Sequence, residues 1–252
     1  MKELVLRAAF TATLPLLPIA LLQGRRVRAR LAPARPAAGP TSGTVPGAGP
    51  TLSLVIFGES TVAGVGAPTH TEALSGRLAA ALAARTGRGV AWRAVGRSGA
   101  TAAEARWALT DELVGSEATV AVVVFGVNDV VRLTRSWRWT ADLADVVTLL
   151  RQHLGAIPVV LAGVPPIGHF PALPQPLRAM LGLRGRLLCL RAAKWADRMS
   201  NIVHVPTTFE ELGLVSTDRG NFTDDGIHPS VKAYAAWGAR LAREIEQLLH
   251  RG

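Results

Sequence analysis

Short apolar runs alternate with longer amphipathic stretches from Thr51 onward. The runs are rich in β-branched residues, which predicts buried strands, and the longest, TVAVVVF, has the apolar character of a strand covered on both faces. Strands are predicted at 52–57, 90–95, 119–125, 157–162 and 201–205. Helices are predicted between and after them at 71–85, 102–113, 141–154, 177–199 and 230–250.

This alternation of strands and helices is typical of a parallel sheet with right-handed crossovers. We therefore predict an α/β fold, a three-layer αβα sandwich around a five-stranded parallel sheet with flavodoxin-like strand order. Ligands of such sheets bind beyond the carboxyl ends of the strands. Functional residues are expected directly after Phe57, Val95, Phe125 and Ala162.

Composition narrows the class of protein. A chain of 252 residues that is 49% hydrophobic buries a substantial core, which excludes wholesale disorder. The single cysteine, Cys189, excludes an intramolecular disulfide framework and a multi-cysteine metal site. The chain has no uninterrupted apolar run long enough for a confident spanning helix, which excludes a polytopic membrane protein.

The N-terminal 35 residues differ from the rest of the chain. They hold seven basic residues and one acid, and the apolar run from Ala8 to Leu22 is followed by four arginines between Arg25 and Arg30. We interpret residues 1–35 as an apolar and basic arm, anchor-like or signal-like. Residues 36–50 are predicted to be a Pro/Gly-rich linker, and residues 51–252 the functional domain.

An apolar run beside clustered arginines favours an anionic membrane surface as partner, contacted through residues 8–30. Nucleic acid is not expected, because no aromatic residues interleave with these arginines. Membrane association is the preferred location, with a cytoplasmic or an exported protein as alternatives. A third possibility for the arm is an extra helix packed on the domain.

Glycine-containing turns follow the first three strands, at Gly58-Glu59-Ser60, Gly96 and Gly126-Val127-Asn128. Ser60 would stand as a nucleophile at the rim of the sheet, and the N–H groups of Ser60 and Gly96 with the Asn128 amide would surround one oxyanion. Taken singly, each turn equally fits an ordinary βα loop, a phosphate-binding turn or a helix cap. The lysine of a P-loop is missing after Ser60.

Asp225 and His228 stand three residues apart just before the last predicted helix. In a helical turn this spacing brings the carboxylate to the imidazole, where it fixes the tautomer while the other ring nitrogen faces a nucleophile. A metal held by Asp224, Asp225 and His228 is the alternative. It is disfavoured because three ligands so close in sequence do not easily surround one ion.

The blocks Gly58-Glu59-Ser60, Gly96, Gly126-x-Asn128-Asp129 and Asp225-x-x-His228, in this order, resemble those of the SGNH hydrolases, the GDSL-like esterases and lipases. The resemblance spans roughly residues 52–250 and is to the single-domain bacterial members. It implies a metal-independent serine hydrolase without cofactors. Ser60, Asp225 and His228 would form the catalytic triad, and Ser60, Gly96 and Asn128 the oxyanion hole.

Two positions depart from the family pattern. Glu59 replaces the usual aspartate and Ala94 an asparagine that is frequent in the second block. Neither change removes a catalytic group, although the extra methylene of Glu59 is expected to shift the loop. Trp139 and Phe170, with Trp137, are the aromatic candidates for the substrate pocket, or else they pack beneath the loops.

Three functions agree with these residues. The preferred one is an esterase for short-chain or lipid-derived carboxylic esters, in which His228 takes the proton of Ser60 and an acyl-enzyme forms. The second is a carbohydrate O-acetyl esterase or an acyltransferase, which the same triad serves. The third is an inactive membrane-associated binding protein on a hydrolase scaffold.

Overall fold

The computed structural model describes residues 1–31, 33–108 and 111–250. The strands are β1 (Ser42–Val45), β2 (Leu52–Gly58), β3 (Val90–Gly96), β4 (Val120–Val124), β5 (Val159–Ala162) and β6 (Ile202–Val205). They form one sheet in the order β1-β3-β2-β4-β5-β6, parallel except for β1. The five parallel strands are the five predicted ones, and their order is the flavodoxin-like order predicted.

Strand β1 lies inside the range predicted to be a linker. It pairs antiparallel with β3, so that Ser42 lies opposite Arg93 and Val45 opposite Val90. Prolines and glycines on both sides hide this short strand from a pattern search, and such residues are tolerated because β1 is at the edge of the sheet. The sheet therefore has six strands, and part of residues 36–50 belongs to it.

The helices are α1 (Lys2–Ala12), α2 (Leu17–Arg30), α3 (Leu74–Thr86), α4 (Ala102–Ala108), α5 (Val127–Val131), α6 (Ser136–Leu154), α7 (Leu177–Ala196) and α8 (Val231–Leu249). Four of the predicted helices correspond to α3, α6, α7 and α8. The fifth, 102–113, begins as α4 and ends in a 3-10 turn at Asp111–Leu113, and its residues 109 and 110 lie outside the described residues.

Side chains of each strand alternate between two apolar layers. Leu54 and Ile56 of β2 pack with α3 and α8, whereas Val55 and Phe57 pack with α6 and α7. The predicted three-layer α/β sandwich is thereby confirmed. At the carboxyl edge of the parallel strands, the turns after β2, β4, β5 and β6 converge on one side of the molecule.

The N-terminal arm packs against the outer side of α7. Glu3 forms ion pairs with Arg191 and Lys194, and the Gln23 amide donates to the Gln175 carbonyl oxygen at 2.6 Å. Ala20 is buried. Other apolar side chains of the arm are exposed, namely Leu4, Val5, Leu14, Leu16, Ile19, Leu21 and Leu22.

By length and composition, Lys2–Arg30 is the one helical stretch of the described residues that qualifies to cross a membrane. A signal sequence near an N-terminus or the core helix of a soluble protein passes the same test. Only 6% of its most apolar window is buried, so it is not a core helix. Its place in the chain and its composition thus fit an anchor or a signal sequence.

Candidate active site

Ser60 lies in a tight turn directly after β2. The Glu59 carbonyl oxygen accepts hydrogen bonds from the N–H groups of Val62 and Ala63, at 3.0 and 3.1 Å, and the Ser60 carbonyl oxygen accepts one from Val65. The Tyr234 hydroxyl, on α8, donates to the Val65 carbonyl oxygen and ties the turn to that helix. Within the described part of the chain, the Ser60 N–H has no hydrogen-bond partner, which leaves it available to an oxyanion.

Asp225 and His228 form the pair that their spacing predicts. The Nδ1 atom of His228 lies 2.6 Å from Oδ2 of Asp225. The other carboxylate oxygen, Oδ1, accepts from the backbone N–H groups of Ile227 and His228, at 2.8 and 2.9 Å, and from the Thr223 hydroxyl, at 2.8 Å. Because Nδ1 faces a carboxylate, Nε2 is the nitrogen left to accept a proton.

The environment of Asp225 favours its charged form. Burial raises the pKa of this carboxyl, but the hydrogen bonds from His228, Ile227 and Thr223 outweigh burial and hold the pKa well below its ordinary value. Asp225 is thus ionised throughout the neutral range and is able to stabilise a protonated His228.

Gly66 allows the serine turn to approach the histidine loop. Its φ is +99°, in the left-handed region, and an added Cβ would lie 2.4 Å from the Pro229 carbonyl oxygen and 3.4 Å from Cβ of His228. A side chain at this position would push the two loops apart. Gly66 is therefore part of what brings Ser60 and His228 to the same place.

Ser60 and His228 line one cavity, which we call the catalytic cavity, of about 70 Å³. Phe170, Phe209 and Phe222 form an edge-to-face cluster in its wall, with ring centroids 5.6 and 6.1 Å apart. The other apolar lining side chains are Val127, Pro165, Pro166, Leu212, Leu214, Ile227, Pro229, Ala233 and Trp237. A cavity with these walls suits an apolar group next to the serine.

The structure places the two predicted aromatic residues in different surroundings. Phe170 lines the catalytic cavity, but Trp139 is 2% exposed and packs in the core on α6, where the apolar face of that helix carries it away from the site. Trp137, two residues earlier, is exposed. Phe209 and Phe222, which both follow β6, were not predicted from the sequence. The expectation that functional residues follow strand ends, applied to Val205, would have pointed to this segment.

Buried Glu59, next to Ser60 in the chain, and half-buried Asn128 form a second hydrogen-bonded pair. Glu59 is 2% exposed, and its carboxylate accepts from the backbone N–H groups of Val127 and Asn128, at 3.1 and 3.2 Å. The side-chain amide nitrogen of Asn128 donates to Glu59 Oε2 at 2.6 Å and to the Ala100 carbonyl oxygen at 3.1 Å. Burial raises the pKa of Glu59 to about 7, against the three N–H donors, which lower it.

Two predicted oxyanion-hole residues, Gly96 and Asn128, are partly buried, and neither is among the described residues that line the catalytic cavity. Gly96 ends β3, and an added Cβ would lie 2.5 Å from the Ala63 nitrogen, so its missing side chain lets the serine turn pack on β3. Both hydrogens of the Asn128 amide have acceptors in the protein. The role of these two residues at an oxyanion remains a prediction.

The part of the chain that the structure describes contains no group of three or more His, Cys, Asp or Glu side chains arranged to hold an ion. Asp225, which the metal alternative needs as a ligand, already accepts four hydrogen bonds.

Comparisons with known proteins agree with this geometry. The chain is 33% identical over 192 residues to the GDSL-like esterase Rv1075c of Mycobacterium tuberculosis, a match that covers 73% of this chain but only 58% of that protein's length. The fold is similar to a family 3 carbohydrate esterase of Clostridium thermocellum (TM-score 0.61, 15% identity, covering 80% of this chain and 98% of that one). It is also similar to a lipase/acylhydrolase of Enterococcus faecalis (TM-score 0.56, 22% identity, 78% and 96%).

At 15% and 22% identity, the similarity to the two solved structures shows a shared fold and nothing more. The model of the GDSL-like lipase/acylhydrolase family matches residues 56–236, which include Ser60, Asn128, Asp225 and His228. With a match over more than half of its length, the chain belongs to the GDSL-like lipase/acylhydrolase family.

Proposed function

We propose that this protein is a serine esterase that hydrolyses carboxylic esters through an acyl-enzyme. Ser60 Oγ attacks the ester carbonyl while His228 takes its proton, and His228 then returns the proton to the departing alcohol. Water, activated by the same imidazole, attacks the acyl-enzyme and releases the acid. The observation that carries the proposal is that Ser60 and His228 line one cavity while Asp225 holds the ring from behind at 2.6 Å.

The oxyanion of the tetrahedral intermediate is assigned to the Ser60 N–H, with Gly96 and Asn128 as the further donors that the family resemblance implies. The free Ser60 N–H supports the first of these assignments within the described structure. For Asn128, reaching the oxyanion requires that its amide give up or share a present acceptor. A donor of this kind is worth about 2.7–4 kcal/mol of transition-state stabilisation.

The catalytic cavity favours an apolar ester over a carbohydrate one. Its walls are largely phenylalanine, leucine and proline, and its polar side chains are Ser60, Thr61, Thr207, Asn221 and His228. A sugar hydroxyl needs hydrogen-bond partners that a phenylalanine cluster does not supply. We therefore prefer short-chain or lipid-derived acyl esters to acetylated sugars and to acyl transfer between alcohols.

Labelling by a fluorophosphonate tests this proposal and the inactive alternative together. Wild type is expected to be labelled and to hydrolyse p-nitrophenyl acetate, whereas Ser60→Ala loses labelling and about 10⁶-fold in kcat. Ser98→Ala, at the same edge of the sheet, is the matched control and should behave as wild type. If wild type is neither labelled nor active, the result contradicts the esterase proposal and supports the inactive binding protein.

We further propose that the arm, through residues 8–30, associates with an anionic membrane surface. Exposed leucines and isoleucine on α1 and α2 adjoin Arg25, Arg26, Arg28 and Arg30, and each basic residue near such a surface contributes about 1 kcal/mol. The full chain should sediment with phosphatidylglycerol vesicles at low salt and be released by added salt. Equal binding to uncharged phosphatidylcholine vesicles would contradict the electrostatic part.

A further inference from the structure

A second and much larger depression adjoins the catalytic cavity. It measures about 1420 Å³, against about 70 Å³ for the catalytic cavity. One side is α7 and another is α1, and we call the space the α1–α7 groove. The two spaces are adjacent, because the same five residues line both, namely Pro165, Pro166, Thr207, Phe209 and Leu214.

The two volumes set what each space is able to hold. At about 10–15 Å³ for each water-sized probe, the catalytic cavity holds only about five waters, which suits a short acyl group such as acetyl. A chain of six or more carbons needs additional space. The α1–α7 groove is of the size of a ligand pocket and directly adjoins the cavity, whose walls it shares.

The groove has a mainly apolar lining, which also includes three charged residues, Lys2, Arg186 and Glu210. Val5 and Leu6 come from α1, Leu183 and Leu190 from α7, and Ile167 from the segment after β5. Val5 is 61% exposed, although it lies on the side of α1 that faces α7 across the groove. Val5 is exposed, Leu6, Leu183 and Leu190 are half-buried, and Ile167 is buried. The part of these walls that solvent reaches favours an apolar occupant by roughly 25 cal/mol for each Å² that it covers.

We propose that the α1–α7 groove holds the hydrocarbon chain of an acyl ester whose carbonyl lies at Ser60, with α1 as one wall of this acyl-chain site. The inference rests on the proposed esterase function, because it takes Ser60 as the point where the chain begins. It gives the N-terminal arm a part in substrate selection besides its part at a membrane. The hydrolysed bond and the fates of proton, alcohol and water are those of the esterase reaction above.

Two pairs of variants separate this proposal from a general effect on the fold. Ala179→Trp fills the groove from an exposed position on α7, and Ala80→Trp, exposed on α3 across the sheet, is its control. Val5→Asp puts a charge on the α1 wall, and Leu4→Asp, 73% exposed and outside the groove lining, is its control. None of the four positions belongs to the catalytic machinery.

The measurement is kcat/KM of the full chain for p-nitrophenyl acetate, hexanoate and octanoate, the longest below its micelle concentration. In wild type we expect kcat/KM to rise with chain length by up to about fourfold per methylene. Ala179→Trp and Val5→Asp should each lower the value for octanoate about tenfold or more while acetate stays within about twofold. Both control variants should keep the wild-type ratio of octanoate to acetate.

Other outcomes overturn the proposal in distinguishable ways. A wild type that prefers acetate, or groove variants that leave the octanoate-to-acetate ratio unchanged, would remove the acyl-chain site, while Ser60-dependent acetate hydrolysis would keep the esterase. If the octanoate-to-acetate ratio falls in the control variants as well, the effect comes from changes to the helices in general and not from the groove. Absence of Ser60-dependent turnover of any ester would overturn both proposals.

Discussion

The two carboxylates next to Ser60 differ in environment although both belong to the motifs of the site. The side chain of Asp225 is 32% exposed and accepts four hydrogen bonds, whereas Glu59 is 2% exposed and accepts three. Burial opposes the charge of both. In Asp225 the hydrogen bonds prevail and the pKa falls well below its ordinary value, whereas in Glu59 burial prevails and the pKa rises to about 7.

This difference in environment suits the two carboxylates to different tasks. Asp225 contacts the imidazole and needs a permanent charge, since it has to stabilise His228 when the ring is protonated. Glu59 contacts the start of α5 and the Asn128 amide, so its task is to hold a loop and a donor. One carboxylate is thus expected to act on proton transfer, and the other on the geometry of the oxyanion side.

Among changes at the two carboxylates, Asp225→Asn is expected to have the largest effect. The change removes the charge behind His228 and allows the wrong ring tautomer, so kcat for p-nitrophenyl acetate should fall by about 10⁴-fold with the fold retained. Asp224→Asn, at the exposed neighbouring acid, is the control and should leave kcat within about twofold. The measurement is kcat of both variants for p-nitrophenyl acetate, and circular dichroism checks that both are folded. A small loss in Asp225→Asn would mean that His228 does not depend on this partner.

A smaller effect is expected on the Glu59 side. Glu59→Gln and Asn128→Ala should each lower kcat by about 10²–10³-fold with KM little changed, because an oxyanion donor acts mainly on the transition state. Since both changes act through the Asn128 amide, the double variant should lose little more than either single one. Glu59→Asp, which keeps the charge, should recover most of the activity. If the fold losses in kcat of the two single variants instead multiply in the double variant, Glu59 acts independently of Asn128.

The opposite pKa shifts predict opposite effects of pH on stability. Because the pKa of folded Glu59 lies above the ordinary 4.5, its stabilisation is present below pH 4.5 and is lost as pH rises to about 7. The loss amounts to about 3 kcal/mol, at about 1.4 kcal/mol per pH unit. Asp225 behaves in the opposite way, and its stabilisation is lost as pH falls below the ordinary 3.8.

Urea unfolding at pH 5 and pH 8 measures the Glu59 contribution. The free energy of unfolding of wild type should fall from pH 5 to pH 8, and that of Glu59→Gln should fall by about 2.5 kcal/mol less, because part of the Glu59 contribution is already lost at pH 5. Buried Asp129, whose pKa is raised by burial to about 6, adds to the fall in both proteins. Because the charge of Asp129 also raises the pKa of Glu59, the difference between the two proteins includes the repulsion between these two carboxylates. Equal falls in wild type and variant would mean that Glu59 ionises at its ordinary pKa when folded.

Sequence reasoning found the Asp225 side of the site more completely than the Glu59 side. Asp225 and His228 are three residues apart, so local geometry alone pairs them. Glu59 and Asn128 are 69 positions apart and meet only because β2 and β4 are neighbours in the sheet. The same limit left the hydrogen bond from the Asn128 amide to the buried Glu59 carboxylate unpredicted.

Patterns of polarity found elements well but not the orientation of single side chains. The alternation of apolar residues predicted all five parallel strands, because burial on both faces leaves a strong signal. The edge strand β1, only Ser42–Val45, leaves almost none. Trp139 was proposed for the pocket as an aromatic residue, but the orientation of its side chain depends on how α6 packs against the sheet.

The smallest expected effect concerns Thr223, whose hydroxyl supplies one of the four hydrogen bonds to Asp225. Thr223→Val keeps the shape and removes that bond, which for a charged acceptor is worth about 1.5–3 kcal/mol of stability. Three donors remain, so the pKa of Asp225 should rise only in part and kcat should fall about 3–10-fold. Thr148→Val, exposed on α6, is the control, because its hydroxyl bonds only the carbonyl oxygen of Ala144 within its helix.

The pH dependence of this variant separates two interpretations. If Thr223 acts through the charge of Asp225, acid unfolding of Thr223→Val should begin at a higher pH than that of wild type, since the stabilisation from Asp225 is lost as pH falls through its pKa. If Thr223 only packs against the loop, the variant should be destabilised equally at pH 3 and pH 7. An unchanged acid transition with a reduced kcat would move the effect from the carboxylate to the loop that carries His228.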